Sequence, residues 1–433
     1  MKTIYKVLLL GFILRLIPFV YVAIAHPEGL LSFDSYGYLN IAENLIEHQT
    51  FSKSPAGEPI LADISRTPVF PLLLTLLKFF SDNVIWLGGI LLLIGSVNVW
   101  LTFKIADILI ANKRMVLLAT ILMAIDIPSI FFSSIILTET LFTCLLLLLL
   151  LLTIQKDIDL KRSILIGFMM SMVILCRPIA VFLPLLFIIY LIWKQKSWKI
   201  VGSFLFSSYL LVTLWAYRNY THFEMFTVSN ISTANFYFHT SASLIAETEN
   251  LPTYKVQHQL SDELMSAEEW TGDPVKDMKP MIAYANKASY KYITEHPWLF
   301  AKQYTIGLIY FFTKPIRNYI DYYLGFTKRY SALAEKKLQS DIFKKVISNT
   351  SFTAIILVIF QLVCSLIICL GVLFYVIKSK REKEFLFLLG IILYFAFTSS
   401  ITEVDGRFRI PMVPLLAILG ALGWSKMILS RIE

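Results

Sequence analysis

Long apolar runs, separated by short polar or basic segments, fill most of this chain. The first runs from Tyr5 to Ala25. Others cover Val84 to Ala111, Met115 to Phe132, Leu141 to Ile154, Ser163 to Cys176, Ile179 to Trp193 and Ile200 to Tyr217. The last three cover Phe352 to Ile377, Phe385 to Phe397 and Ile410 to Leu429. A transmembrane helix needs about 20 mostly apolar residues, and in lipid every backbone group must be satisfied within its own segment. The pattern predicts an all-α polytopic integral membrane protein with about 10–12 transmembrane helices.

Two stretches depart from it. Between His26 and Asn83 the chain is mixed, and Tyr38, Ile41, Ala42, Leu45 and Ile46 alternate with Asn40, Glu43, Asn44 and Glu47 at helical spacing. That predicts an amphipathic helix lying along the membrane surface. Pro68 to Phe80 is apolar but short, and reads as an interfacial or re-entrant helix. The second stretch, Tyr220 to Thr350, is polar, carries several acids and prolines, and is long enough for a small domain. Within it Leu299 to Phe312 is apolar and reads as surface-lying, because a span there would turn the basic Lys378 to Lys383 segment outward. The expected organisation is a membrane region at 1–219 with an outer loop at 26–83, an extracytoplasmic region at 220–351, and C-terminal membrane helices at 352–433.

Charge supplies the orientation. Lys2 and Lys6, Lys113 and Arg114, Lys156 with Lys161 and Arg162, and Lys194 with Lys196 and Lys199 mark alternate ends of the runs, and the last span ends at Arg431. The positive-inside rule then places both termini in the cytoplasm. The net charge of +9 is read in the same way, and not as a nucleic-acid footprint. The chain is 57% apolar and 16% charged, far from the composition of a soluble domain. All four cysteines lie in or beside apolar runs, which argues against a disulfide framework or a cysteine metal site. No small-residue cleavage site precedes His26, so the first run reads as a retained span.

On this topology Asp34, Arg66, Glu139, Arg177, Arg218, Glu403, Asp405, Arg407 and Arg409 fall at the outer face. Each has an ordinary use. Asp34 suits a helix N-cap, Glu139 opens the helix holding the leucine run, and interfacial arginines snorkel to headgroups. As a set, outer-face arginines run against the positive-inside bias. The arginine fork matches phosphate, and a carboxylate beside it can orient a hydroxyl or accept its proton. Together they point to a lipid phosphate. Tyr36, Tyr38, Phe70, Trp215 and Tyr217 are interfacial belt residues or platforms for a sugar. The six histidines show no metal-binding spacing, and neither a phosphate loop nor a dinucleotide fingerprint occurs. A transporter of lipid-linked saccharides is the alternative. It would need charges and broken helices in mid-bilayer, where only Asp107 and Asp126 supply acids in the early spans.

Asp34-Ser35-Tyr36, Arg66-Thr67-Pro68-Val69-Phe70-Pro71, Thr138-Glu139-Thr140, Arg177-Pro178, Trp215-Ala216-Tyr217-Arg218-Asn219 and Arg407-Phe408-Arg409-Ile410-Pro411 occur in that order. In kind and order they resemble the polytopic GT-C glycosyltransferases. The nearest group is the bacterial branch related to protein O-mannosyltransferases and to the aminoarabinose transferase of lipid A. The likeness covers the chain to Asn219 and the last two spans. The outer region matches only in position.

The resemblance implies an enzyme of the plasma (inner) membrane whose active site faces outward. It would take a sugar from a polyprenyl-phosphate-linked donor and pass it, with inversion, to a glycan, lipid or protein acceptor. Carried over by position, Asp34 is the base and Glu139 a second active-site carboxylate. Arg66, Arg218, Arg407 and Arg409 are assigned to the donor phosphate. Tyr36, Tyr38, Arg177, Asn219, Glu403 and Asp405 are further substrate contacts. Metal use varies across the superfamily, so a divalent ion stays open although no ligand spacing supports one.

Overall fold

The computed structural model describes residues 2–154, 157–267, 270–326, 351–378, 382–400 and 404–429. Glu403, Lys156, Arg431 and part of the Lys378 to Lys383 segment lie outside them. Among the described residues the regular structure is entirely helical. The N-terminal membrane region runs α1 (Lys2–Ala25), α2 (Phe33–His48), α3 (Val69–Lys78), α4 (Val84–Leu109), α5 (Lys113–Ala124), α6 (Ile127–Phe131), α7 (Thr138–Ile154), α8 (Leu160–Cys176), α9 (Leu183–Trp193) and α10 (Trp198–Phe223). The polar region holds α11 (Ile231–Asn235), α12 (Ala242–Thr248), α13 (Thr253–Ser266), α14 (Pro274–Glu295), α15 (Pro297–Thr313) and α16 (Arg317–Tyr323). The C-terminal part is α17 (Phe352–Lys378), α18 (Lys383–Ser399), a 3-10 turn at Gly406–Met412 and α19 (Val413–Leu429).

Among the described residues, five segments are long and apolar enough to cross a membrane: Lys2–Ala25, Val84–Leu109, Trp198–Phe223, Phe352–Ile377 and Gly406–Ser425. Shorter apolar helices fill in between them. In lipid, helices associate by close packing of small residues and by polar contacts between helices. Both devices are present. Gly167 of α8 lies so close to α10 that a Cβ there would meet the Ser207 Oγ at 1.9 Å, and the Ser171 hydroxyl donates to Ser207 O at 2.7 Å. On α19, a Cβ at Gly423 would meet Gly371 O of α17 at 1.7 Å. Asn98 of α4 donates to Thr140 O of α7 at 3.0 Å.

The helix of Pro68 to Phe80 is α3, only 10 residues long. At about 1.5 Å per residue it reaches half the hydrocarbon thickness. It packs on α2, α4 and α8. Contacts of α15 with α18 include Tyr304 donating to Phe397 O and Gly307 lying under Ser400, both at the C-terminal end of α18. The expected single span Met115 to Phe132 is instead broken between α5 and α6. The side chain of Asp126 caps α6, accepting from the Ser129 amide at 2.9 Å and its hydroxyl at 2.7 Å. Tyr237, Ala242, Val256, Leu260 and Ala285 of the polar region share a small core of their own.

Candidate functional site

The N-cap of α2 is Ser32, not Asp34. The Ser35 hydroxyl accepts from the Ser32 amide at 2.8 Å and donates to Ile136 O at 2.8 Å, fastening the start of α2 to the turn before α7. Asp34 is thereby left in the first turn, where the helix dipole favours an acid. It makes two ion pairs. Arg66 donates to Oδ1 at 2.8 Å and Arg407 to Oδ2 at 2.9 Å. Burial alone would raise the Asp34 carboxyl. Arg407 and Arg66 outweigh it and hold the group at about 2.

The loop that carries Arg66 is shaped by Asp63. Its Oδ1 accepts from the amides of Ser65 and Arg66 at 2.9 and 2.8 Å, and its Oδ2 from the Ser65 hydroxyl at 2.8 Å. The Arg218 guanidinium holds the loop from the other side, donating to Asp63 O at 2.6 Å while lying against Trp215 and Phe51. Next to Arg66, Thr67 donates to Cys176 O, so the loop also meets the end of α8 where Arg177 follows. The Arg66 guanidinium lies 4.8 Å over the Tyr38 ring.

Glu139, linked to Asp34 through Arg407, is only 3% exposed. Its Oε1 is 3.6 Å from Arg177 and 3.7 Å from Arg407 Nε. Its Oε2 is buried with no hydrogen-bond partner, as is Arg407 Nε. Asp405 caps the 3-10 turn, accepting from the Arg407 amide at 3.1 Å and the Tyr319 hydroxyl at 2.8 Å. Asp34, Arg66, Tyr38, Glu139, Arg177, Arg407 and Asp405 therefore form one connected cluster, contributed by α2, the 51–68 loop, α7, the end of α8 and the last 3-10 turn.

The other candidates lie elsewhere. Arg218 is spent on the backbone of the loop, and Asn219 donates to Thr227 O at 2.7 Å. Arg409 is buried and donates to Phe312 O, on the side of the turn where Asp126 and Arg15 stand. Tyr36 is exposed on α2. Sequence reading missed Asp63 and Tyr319. The spacing Asp63-x-Ser65 is a turn signal that marks Asp63. Tyr319 carries no local signal, because its role depends on a contact with Asp405.

Among the described residues no group of three or more His, Cys, Asp or Glu is placed to hold a metal ion. Asp34 faces guanidiniums, a donor set that suits an anion. Beside the cluster, an apolar groove of about 620 Å³ opens between α3, α7, α8 and α10. Its lining includes Pro68, Leu72, Leu141, Leu145, Leu175 and Trp215.

No family model matches the chain. No curated protein matches it either. The structure is similar to that of the oligosaccharyltransferase AglB from Archaeoglobus fulgidus in complex with an inhibitory peptide and a dolichol-phosphate, at 12% identity and a TM-score of 0.47. That likeness covers 98% of this chain and 51% of the other. The apo form of the Archaeoglobus fulgidus oligosaccharyltransferase gives 12% identity and a TM-score of 0.49, over 99% of this chain and 51% of the other. The chain thus spans about half the length of these proteins.

Proposed function

We propose that the protein is a membrane glycosyltransferase of the plasma membrane. It moves a sugar from a polyprenyl-phosphate-linked donor to an acceptor hydroxyl at the extracytoplasmic face. One observation carries this reading: the arginine–carboxylate cluster stands at the head of an apolar groove. Pro68, Leu141 and Leu175, which line the groove, are each two residues from Arg66, Glu139 and Arg177. A ligand with a long apolar tail and an anionic head fits that arrangement, since tail burial and phosphate pairing act on one molecule.

In the reaction, the acceptor oxygen attacks the anomeric carbon and the bond from that carbon to the phosphate oxygen breaks. The hydroxyl proton passes to Asp34, and the electron pair leaves with the lipid phosphate. Arg66, Arg177 and Arg407 stabilise the charge that develops there. Glu139 is too deeply buried to meet an acceptor, so its part is to hold Arg177 and Arg407.

A transporter of lipid-linked saccharides is the second reading. It draws on the helix break beside Asp126, with Arg15 in a membrane helix donating to Ala124 O and Gly11 O. Purified protein in detergent separates the two. Transfer of sugar from a polyprenyl-phosphate-sugar donor to an acceptor supports the enzyme. Failure with every acceptor class, together with donor movement across vesicles, supports the transporter.

A further inference from the structure

Both oxygens of Asp34 are engaged by the guanidiniums of Arg66 and Arg407, the groups assigned above to a phosphate. A carboxylate held in this way is a weak proton acceptor, which fits poorly with the role of base. The surroundings offer a way out. Among the clustered side chains, three arginines face Asp34 and Glu139, and with Asp405 the formal charges balance, so an incoming phosphate adds an anion that must share the same cations. Asp405 is turned to Tyr319 and the backbone. The two carboxylates also differ in freedom. Asp34 is 26% exposed, whereas Glu139 is only 3% exposed.

Arg407 stands between them. Its Nη2 donates to Asp34, while its Nε is 3.7 Å from Glu139 Oε1. That distance is too long for a hydrogen bond, and both Nε and Glu139 Oε2 lack one. A shift of under about 1 Å would pair Arg407 with Glu139 and loosen it from Asp34. Arg407 thus has a second partner already in place.

We propose that the Asp34 carboxylate and an incoming lipid phosphate compete for Arg66 and Arg407, so that phosphate binding releases Asp34. On release Asp34 loses two cationic partners and gains an anionic neighbour, and its proton affinity rises only when a donor is present. The proposal rests on the phosphate reading given above. It adds that the base is switched on by the leaving group.

The probe is a polyprenyl monophosphate added to the full-length protein in phosphatidylcholine nanodiscs. Its affinity is measured first. Carbodiimide labelling of Asp34, which consumes the protonated carboxyl, is then followed by mass spectrometry with and without saturating probe. Asp34→Asn identifies the labelled peptide. The expected results are measurable binding and labelling of Asp34 that rises about tenfold with the probe, within the usual range of couplings between sites. By the same coupling, Asp34→Asn binds the probe about tenfold more tightly than wild type, and adding Arg66→Ala cancels the gain. Binding with labelling unchanged or reduced overturns the exchange and leaves the phosphate reading standing. No binding to wild type or to Asp34→Asn overturns both.

Discussion

Asp34 and Arg407 lie 373 positions apart in the chain and meet at 2.9 Å. One stands in the first turn of α2 and the other on the 3-10 turn that leads into α19. The site therefore exists only when the two ends of the membrane region are packed together. If Asp34 takes the acceptor proton, Asp34→Asn should lower sugar transfer about a hundredfold or more, since positioned acid–base groups contribute on that scale. The variant should still insert and elute as wild type does. Retention of most transfer activity would remove Asp34 from the role of base.

Glu139 makes a different prediction. It is buried between Arg177 and Arg407, and Glu139→Gln would leave both cations without their shared anion. Removing one partner of a buried ion pair costs about 3 kcal/mol or more. The expected result is a clear fall in the thermal unfolding midpoint in detergent, partly restored in Glu139→Asp. A Glu139→Gln protein as stable as wild type would show that the arginines are held by other contacts.

Much of this arrangement could be read in advance, for identifiable reasons. The apolar runs announced the spans because lipid forces continuous hydrophobicity on a helix. The helix α2 showed itself in the spacing of Tyr38, Ile41, Ala42 and Leu45, of which the first three are buried. Asp34, Arg66, Glu139, Arg177 and Arg407 stood out as charges at the ends of apolar runs opposite to those marked by clustered lysines. Sequence could not tell Arg407 from Arg409. Only Phe408 separates the two, and a 3-10 turn sends one to Asp34 and the other to Phe312 O. Arg218 looked equal to Arg66, yet its partner is a backbone carbonyl that no pattern names. The break at Asp126 has a local signal, an acid two residues before Pro128, but the apolar run through Met115 to Phe132 outweighed it.

The pairing of Asp34 also fixes a pH dependence. Its carboxyl is lowered from 3.8 to about 2, so its ionised form is favoured by the folded protein. A lowered carboxylate contributes stability that is complete above the unfolded value and is lost as pH falls through the folded one. The difference in thermal stability between wild type and Asp34→Asn should therefore be constant near neutrality and shrink between about pH 4 and about pH 2. Other acids titrate in both proteins and cancel in the difference. A difference unchanged down to about pH 2 would mean that the charge of Asp34 is not what the two arginines hold.

The groove gives a prediction that separates tail from head. Leu145 and Leu211 line it from α7 and α10, away from the charged cluster. Tryptophan at either position fills part of the volume without touching Asp34 or its arginines. If the polyprenyl chain lies there, Leu145→Trp and Leu211→Trp should raise KM for a long-chain donor about tenfold, the equivalent of losing two buried methylene groups. Turnover of a donor with a tail too short to reach these residues should stay at the wild-type level. The comparison of donors matters because overpacking also strains the surrounding helices. General strain lowers activity with both donors alike, whereas a blocked tail site affects only the long one. Equal loss with both would place the lipid chain outside this groove.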